Sequence, residues 1–226
     1  MLIDFHTHTF WSDGVLSPVE QARRALVNGY SAIGLTDHMG CGNVSHLIQE
    51  LKRDRELIER YWSIQVIVGV ELTHVPAGGI AEAAKHARDA GAEIVVLHGE
   101  TPVEPVEPGS NAAAIDSGYV DLIGHPGHIT EHEVRGAVSN DVFLEISARS
   151  GHCLTNGHVA ALGERLGAKL VVDSDAHSPS DLLSESFQRS VAMGAGVHED
   201  RLTDVLQTWP AELLQRCLER REGDRP

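Results

Sequence analysis

The sequence predicts an α/β fold with a parallel sheet, either a closed barrel or a doubly wound sheet. Three observations carry this. Short apolar runs alternate with longer helix-like stretches along the 226 residues. The runs are apolar on both parities, as strands covered on both faces must be. Six of the seven runs end in a His, Asp or Glu, the arrangement expected where the carboxyl ends of parallel strands meet at one face.

The predicted strands are residues 2–5, 32–35, 65–70, 93–97, 120–124, 142–146 and 169–172. Between the first two, Ser17-Pro18-Val19-Glu20 reads as a capping box with Pro at the first helical position, and Asn28-Gly29 closes that helix. Residues 79–90 form a second helix stopped by Gly91, and residues 156–166 one stopped by Gly167. Pro179-Ser180-Asp181 precedes another helix. Residues 101–109, with Pro102, Glu104, Pro105, Glu107 and Pro108, read as a long loop after the fourth strand. The expected organisation is one domain over residues 1–226, with a helical C-terminal tail from about residue 200.

Composition narrows the function. Hydrophobic residues at 42% and charged residues at 23% are ordinary for a globular chain, so disorder and fibrous designs are excluded. A net charge of −15 repels nucleic acid and anionic membranes over most of the surface, so neither long nucleic acid nor a membrane is an expected partner. Oligomeric state is not legible. Cys41, Cys153 and Cys217 lack CxxC spacing and suit a reducing compartment. No secretory leader or run of roughly 18–20 apolar residues is present, so a cytoplasmic location is expected. Fourteen histidines outnumber the Phe, Trp and Tyr residues (4, 3 and 3), which makes a metal site the first hypothesis.

The strand ends give that hypothesis its residues: His6 and His8, with Asp13 just beyond; Asp37-His38; Glu71; His98; His125; and Asp175 with His177. His6 and His8, two apart on an extended chain, direct both rings to one side, and Asp175 and His177 repeat the geometry. The candidate ligands are His6, His8, Asp13, His38, Glu71, His98, His125, Asp175 and His177, an N/O set suited to Zn²⁺, Mn²⁺ or Fe. One zinc takes about four ligands, so this set implies two or three divalent ions, with Glu71 the natural bridge. Three such ions against three carboxylates leave roughly +3 in the pocket, a field suited to a phosphate dianion.

These motifs resemble the polymerase-and-histidinol-phosphatase (PHP) family. The resemblance runs from Asp4-Phe5-His6-Thr7-His8 and Ser12-Asp13-Gly14, through Thr36-Asp37-His38, Gly69-Val70-Glu71, His98 and Gly124-His125-Pro126, to Ser174-Asp175-Ala176-His177. It implies a distorted (β/α)₇ barrel resembling a TIM barrel, with the metal site at the carboxyl ends of the strands. It also implies three ligand sets: His6, His8, Glu71 and Asp175 for one ion; Glu71, His98 and His125 for a second; Asp13, His38 and His177 for a third. Some histidinol phosphatases of the family carry His where Asp13 aligns.

The activity so implied is hydrolysis of a small phosphomonoester, histidinol phosphate or a related metabolite, by hydroxide held between two metals. Arg149, after the sixth strand, is the expected catalytic phosphate clamp. Glu100, His128 and His152 are the further candidates for lining the substrate pocket, and either Glu100 or Glu104 could meet a substrate cation. Asp37 is expected to orient His38 or to sit beside the ligands in a supporting role, and Glu145 to hydrogen-bond within the barrel top. His46, His74, His86, His132, His158 and His198 read as exposed or loop residues. Three rivals remain. Amidohydrolases share the opening His-x-His but commonly use a metal-bridging carbamylated Lys, for which these strand ends offer no Lys. A phosphodiesterase acting on nucleotides or short oligonucleotides shares the metal logic. A metal-binding regulatory module would keep the ions without turnover.

Overall fold

The computed structural model describes residues 2–223. The elements are β1 (Leu2–Asp4), α1 (Pro18–Val27), β2 (Tyr30–Leu35), β3 (His38–Met39), α2 (Val44–Tyr61), β4 (Gln65–Leu72), α3 (Ile80–Asp89), β5 (Ile94–His98), α4 (Ser110–Asp116), β6 (Leu122–Gly124), α5 (Glu131–Asn140), β7 (Phe143–Ser147), α6 (Asn156–Leu166), β8 (Leu170–Asp173), α7 (Glu185–Gly194) and α8 (Trp209–Gly223). All strand pairs are parallel, in the order β1-β2-β4-β5-β6-β7-β8, which makes a nearly closed barrel wrapped by helices.

The short β3, absent from the sequence-based reading, continues β2 after a break. β2 pairs the first half of β4 and β3 its second half, through His38↔Glu71 and Met39↔Leu72. The break falls at Thr36-Asp37, whose polar groups turn inward towards β1: the Thr36 N–H donates to Thr7 O.

The seam between β1 and β8 is closed largely by side chains. The Phe5 N–H donates to Asp173 Oδ1 (2.7 Å) and the Ser174 N–H to Asp4 Oδ1 (3.1 Å). Tyr30 Oη donates to Asp4 Oδ2 (3.0 Å) and accepts from the Leu183 N–H (2.7 Å). A single bridge, Thr7↔Ala176, continues the seam above.

Parity along the strands sorts the interior into layers. Ile3, Phe5, Ala32, Ile67, Ile94, Val96, Leu122, Phe143 and Val171 form an inner apolar cluster. The alternate residues, among them Val66, Val68, Val95, Leu97, Leu144 and Val172, face the helices. One further step along the inward parity the residues turn polar: Glu71 follows Ile67 and Gly69, His98 follows Val96, and Glu145 follows Phe143. Glycine is needed between the layers at Gly124, where a Cβ would lie 2.9 Å from His6 Cε1.

The C-terminal helix is more than a tail. α8 follows a short π-helical stretch, Asp204–Thr208, and buries Leu213, Leu214 and Cys217 in the inner cluster, closing the amino end of the barrel. α8 runs to Gly223, and residues 224–226 lie outside the described residues. Ser17 caps α1 by accepting from the Glu20 N–H, but the Glu20 carboxylate pairs with Arg24 instead of completing a capping box. α7 begins at Glu185 under Ser184, later than Pro179-Ser180-Asp181 suggests. Asp181 instead takes the backbone N–H groups of His177 and Ser178. No helix among the described residues is long and apolar enough to cross a membrane.

Candidate metal centre

The carboxyl ends of the strands deliver the nine candidate ligands to one place. β1 runs out at Asp4, and the chain stays extended enough that His6 and His8 share a side, their ring centroids 5.1 Å apart, while Thr7 between them donates to Gly34 O. Asp175 sits in the left-handed region (φ 51°), as does His125 (φ 30°). Non-glycine residues adopt that conformation at a cost, and here it aims two candidate ligands inward.

Glu71, fully buried at the end of β4, is the hub. Its Oε1 lies 3.1 Å from His6 Nε2, 3.1 Å from His98 Nδ1 and 3.5 Å from His125 Nε2. Its Oε2 lies 2.6 Å from His38 Nδ1 and 3.8 Å from His8 Nε2. Asp175 Oδ1 lies 3.1 Å from His8 Nε2 and 3.8 Å from His6 Nε2. Four ligands about 2.1 Å from one ion at tetrahedral angles would stand ~3.4 Å apart, so His6, His8 and Asp175 are gathered at the spacing of a shared ion, with Glu71 joining through its contacts to the two rings. Asp13 Oδ1 reaches His38 Nε2 (3.3 Å) and His177 Nε2 (3.1 Å), which assembles the set Asp13, His38 and His177. The His8 ring packs against His38 and His177, each 4.2 Å away between centroids, so it stands between those two sets.

Unsatisfied atoms provide the test of whether these residues fit metal ions. Among the described residues, the buried side-chain N and O atoms without a hydrogen-bond partner include His6 Nε2, both nitrogens of His8 and His125, His98 Nε2 and Asp175 Oδ1. Apart from Gln21 Nε2, every such atom belongs to a residue at this end of the barrel. Each would cost about 1–3 kcal/mol if left unpaired. Imidazole and carboxylate atoms converging without protein partners are the donor set of divalent ions.

The electrostatics agree. Burial opposes charge on His6, but Glu145, Glu71 and Asp175 outweigh it and hold the ring's pKa well above its ordinary value. Burial likewise opposes ionisation of Glu71, yet His6 and His98 keep its carboxyl well below the usual range. His8 is driven well below its ordinary value by burial, reinforced by the neighbouring rings of His38, His6 and His177. Asp175 is pushed up to about 7 by burial, with Glu71 and Glu145 adding to it against His6 and Arg149. In the metal-free protein, protons partly do the work that cations would do.

The residues around the cluster divide. Glu145 Oε2 lies 2.6 Å from His6 Nδ1 and fixes that ring from behind. Arg149 Nη1 donates to Asp175 O (3.1 Å) and lies 2.7 Å from His177 Nδ1. His152 is buried, stacks on His125 at 4.1 Å, and places Nδ1 2.8 Å from Thr101 Oγ1.

Two expected pocket residues point elsewhere. The Glu100 carboxylate accepts the N–H groups of Gly109 and Asn111, so it ties down the loop before α4. His128 is exposed, and its ring contact is with His158 (5.7 Å). Asp37 does not orient the His38 ring. It accepts from the backbone and hydroxyls of Thr9 and Ser12, and so pins the loop between His8 and Asp13. That loop leaves Phe10 and Trp11 exposed beside each other.

Sequence reasoning missed His74 as a site residue and did not separate Glu104 from Glu100. Both His74 and Glu104 approach His98: Glu104 Oε2 lies 3.1 Å from His98 Nε2 and 3.2 Å from His74 Nε2. The available signal was position, since both follow the carboxyl end of a strand. Lys85 and Lys169 pair with Asp89 and Asp141, away from the cluster.

Residues 4–104 match the model of the PHP domain. An uncharacterized protein of Methanocaldococcus jannaschii is 46% identical over 96% of this chain and 100% of its own length. A protein of Thermoanaerobacter sp. named a probable phosphatase is 30% identical over 91% of each chain. Among solved structures, a protein of Listeria monocytogenes assigned as a histidinol phosphatase superposes with a TM-score of 0.59 at 11% identity, over 80% of this chain and 97% of that one, which supports the fold. The chain belongs to the PHP family.

Proposed function

We propose that the chain hydrolyses a small phosphomonoester, histidinol phosphate or a related metabolite, with two or three Zn²⁺, Mn²⁺ or Fe ions held by the nine strand-end ligands. As a PHP-family protein it is a metal-dependent hydrolase of phosphoric esters. The observation that carries the reading is the convergence of His6, His8, Glu71 and Asp175 at ligand spacing, beside the set Asp13, His38 and His177.

Bound divalent ions supply an acidified water, a clamp on the phosphoryl oxygens and a counter-charge for the leaving oxygen. The chain's own groups do the rest. Glu71, within reach of five rings, is suited to bridge. Glu145 holds the proton on His6 Nδ1 and so leaves Nε2 as the donor atom.

Arg149 is suited to receive the phosphate. A His177 ring that gives Nε2 to an ion keeps its proton on Nδ1, where Asp175 O accepts it at 2.9 Å. Arg149 Nη1 then loses its acceptor on that ring, and the guanidinium, still tethered to Asp175 through Nη1 and Nε, has donors to turn to phosphoryl oxygens. The −15 charge favours a small substrate over a long polyanion.

The test is phosphate release from a panel of phosphomonoesters, histidinol phosphate among them, with each metal restored and Asp175→Asn as control. Release dependent on metal and on Asp175 is expected. If metal-loaded protein instead cleaves only diesters or short oligonucleotides, the monoester reading is wrong. If it binds ions and cleaves no phosphoric ester, the chain is a binding module.

A further inference from the structure

The loop after β5 brings an acid to the cluster that no strand end supplies. It is fixed at both ends: Glu100 accepts from the Gly109 and Asn111 N–H groups, and Glu107 Oε2 accepts from the Ala77 N–H (3.0 Å). Between these anchors Glu104 turns in, its side chain 37% exposed. Its Oε2 meets His98 Nε2 at 3.1 Å and His74 Nε2 at 3.2 Å, and its Oε1 stands 3.4 Å from His152 Nε2.

The contact with His98 is informative because it is not a hydrogen bond. His98 is 3% exposed, and its Nε2 has no hydrogen-bond partner despite the carboxylate beside it. The other nitrogen, Nδ1, is hydrogen-bonded to Glu71 Oε1 (3.1 Å). With the proton held on Nδ1, the Nε2 lone pair is directed into the space that Glu104 and His74 also face. The nearest donor atoms of His74, His98 and Glu104 lie within 4.8 Å of one another. His74 adopts a left-handed backbone (φ 52°) one residue after Thr73, so its ring is turned to this spot by a strained backbone. Two imidazoles and a glutamate, with a further position open, make a complete three-ligand protein set for a zinc-like ion.

We propose that Glu104 and His74 are metal ligands, completing the coordination of the ion bound at His98 Nε2 on the open side of the centre. This ion then has a ligand on a solvent-facing loop, whereas the set His6, His8, Glu71 and Asp175 is wholly buried. It is the exchangeable ion of the group.

The test counts and ranks metals without using turnover, so it stands or falls separately from the phosphomonoester reading. Co²⁺-loaded wild type, Glu104→Gln and His74→Ala are challenged with a graded chelator, while visible absorption and bound metal are followed. In both variants one equivalent should weaken at least about tenfold and its absorption band change, with the other equivalents unmoved. Glu107→Gln, on the same loop, should match wild type. Equal affinities and spectra in wild type and both variants would overturn the proposal. So would an equal loss in Glu107→Gln, which would trace the effect to loop anchoring.

Discussion

The two ends of the barrel are both rich in buried charge, and they treat it oppositely. At the amino end the charges are matched. Arg221 donates to Glu93 through Nε and Nη2 (2.9 and 3.0 Å) and to Glu59 through Nη1. Arg55 pairs with Glu93, and Arg88 with Asp121, which also receives Arg220 at 2.7 Å. The same two acids accept strand N–H groups, Glu93 from Val68 and Asp121 from Val95. At the carboxyl end, buried imidazoles and carboxylates face one another with nitrogens and oxygens left unpaired. The amino end uses charge to hold α8 against the barrel, and the carboxyl end keeps its charge available for something that is not protein. Structure and function are separated along one axis, as in other parallel barrels.

The comparison breaks first at the ligands. Asp175→Asn and His98→Ala should each lower turnover by more than the ~100-fold typical of losing a group that only supports a ligand. Asp175→Asn should leave the melting temperature of the metal-free protein near wild type, because burial already pushes that carboxyl towards its neutral form and Asn keeps its shape, whereas His98→Ala also removes a partner of buried Glu71 and should cost stability as well. Wild-type turnover in both variants would sink the metal mechanism. A cooperative loss of fold in metal-free Asp175→Asn would show that the carboxyl end is structural as well.

The reverse pattern is expected for Arg221→Ala. It strips Glu93, 2% exposed, of two of its charged contacts, and breaking a buried pair on one side costs about 3–5 kcal/mol. Denaturant unfolding should record that loss, while turnover per folded molecule stays near wild type. A fall in turnover without a fall in stability would mean that α8 communicates with the site.

What the sequence disclosed follows the same division. The strand-end ligands were legible because each closes an apolar run, and a parallel sheet brings such ends together. Glu100 and Glu104 were not separable, since both are acids of one proline-rich loop and only its path shows which turns inward. The partners of Asp37 were not legible, because it adjoins His38 in sequence while its carboxylate serves Thr9 and Ser12. The amino-end network was invisible: Arg221 and Glu93 are 128 residues apart, and neither stands in a motif. β3, two residues long, carries too little periodicity to announce itself.

Metal uptake offers a third comparison, between the cluster with and without its ions. His6 in the metal-free protein has a raised pKa, and Asp175 one of about 7, so near neutral pH His6 holds a proton and Asp175 is protonated in about half the molecules, and bound ions must displace both. Metal binding should therefore release protons, read as a buffer-dependent heat in calorimetry. Affinity should fall as pH drops through those values, by about tenfold per pH unit for each proton displaced. In the metal-free state the His6 contribution to stability has the sign of a raised base: present below the unfolded value and lost as pH rises through the folded one. Each ion supplied at a hundred times its dissociation constant should add about 2.7 kcal/mol. Heats that do not vary with buffer would show that these groups are already deprotonated before the ions arrive.

The smallest effect tests whether burial, rather than the number of ion pairs, makes the amino end strong. Lys169 contacts both Asp141 and Glu212, so it has as many acidic partners as Arg221. Its side chain is 30% exposed and those of its partners 54% and 43%, against 12% for Arg221 and 2% for Glu93. Water can solvate what Lys169→Met leaves behind, and exposed pairs contribute about 0–1 kcal/mol. The substitution also keeps an apolar stem beside the Phe143 ring, over which the ammonium now lies 5.4 Å from the centroid. Lys169→Met should therefore shift unfolding by less than about 1 kcal/mol and lose most of that shift at high salt, while the cost of Arg221→Ala persists. Equal costs for the two substitutions would mean that the whole charged rim, not its buried part, holds α8 in place.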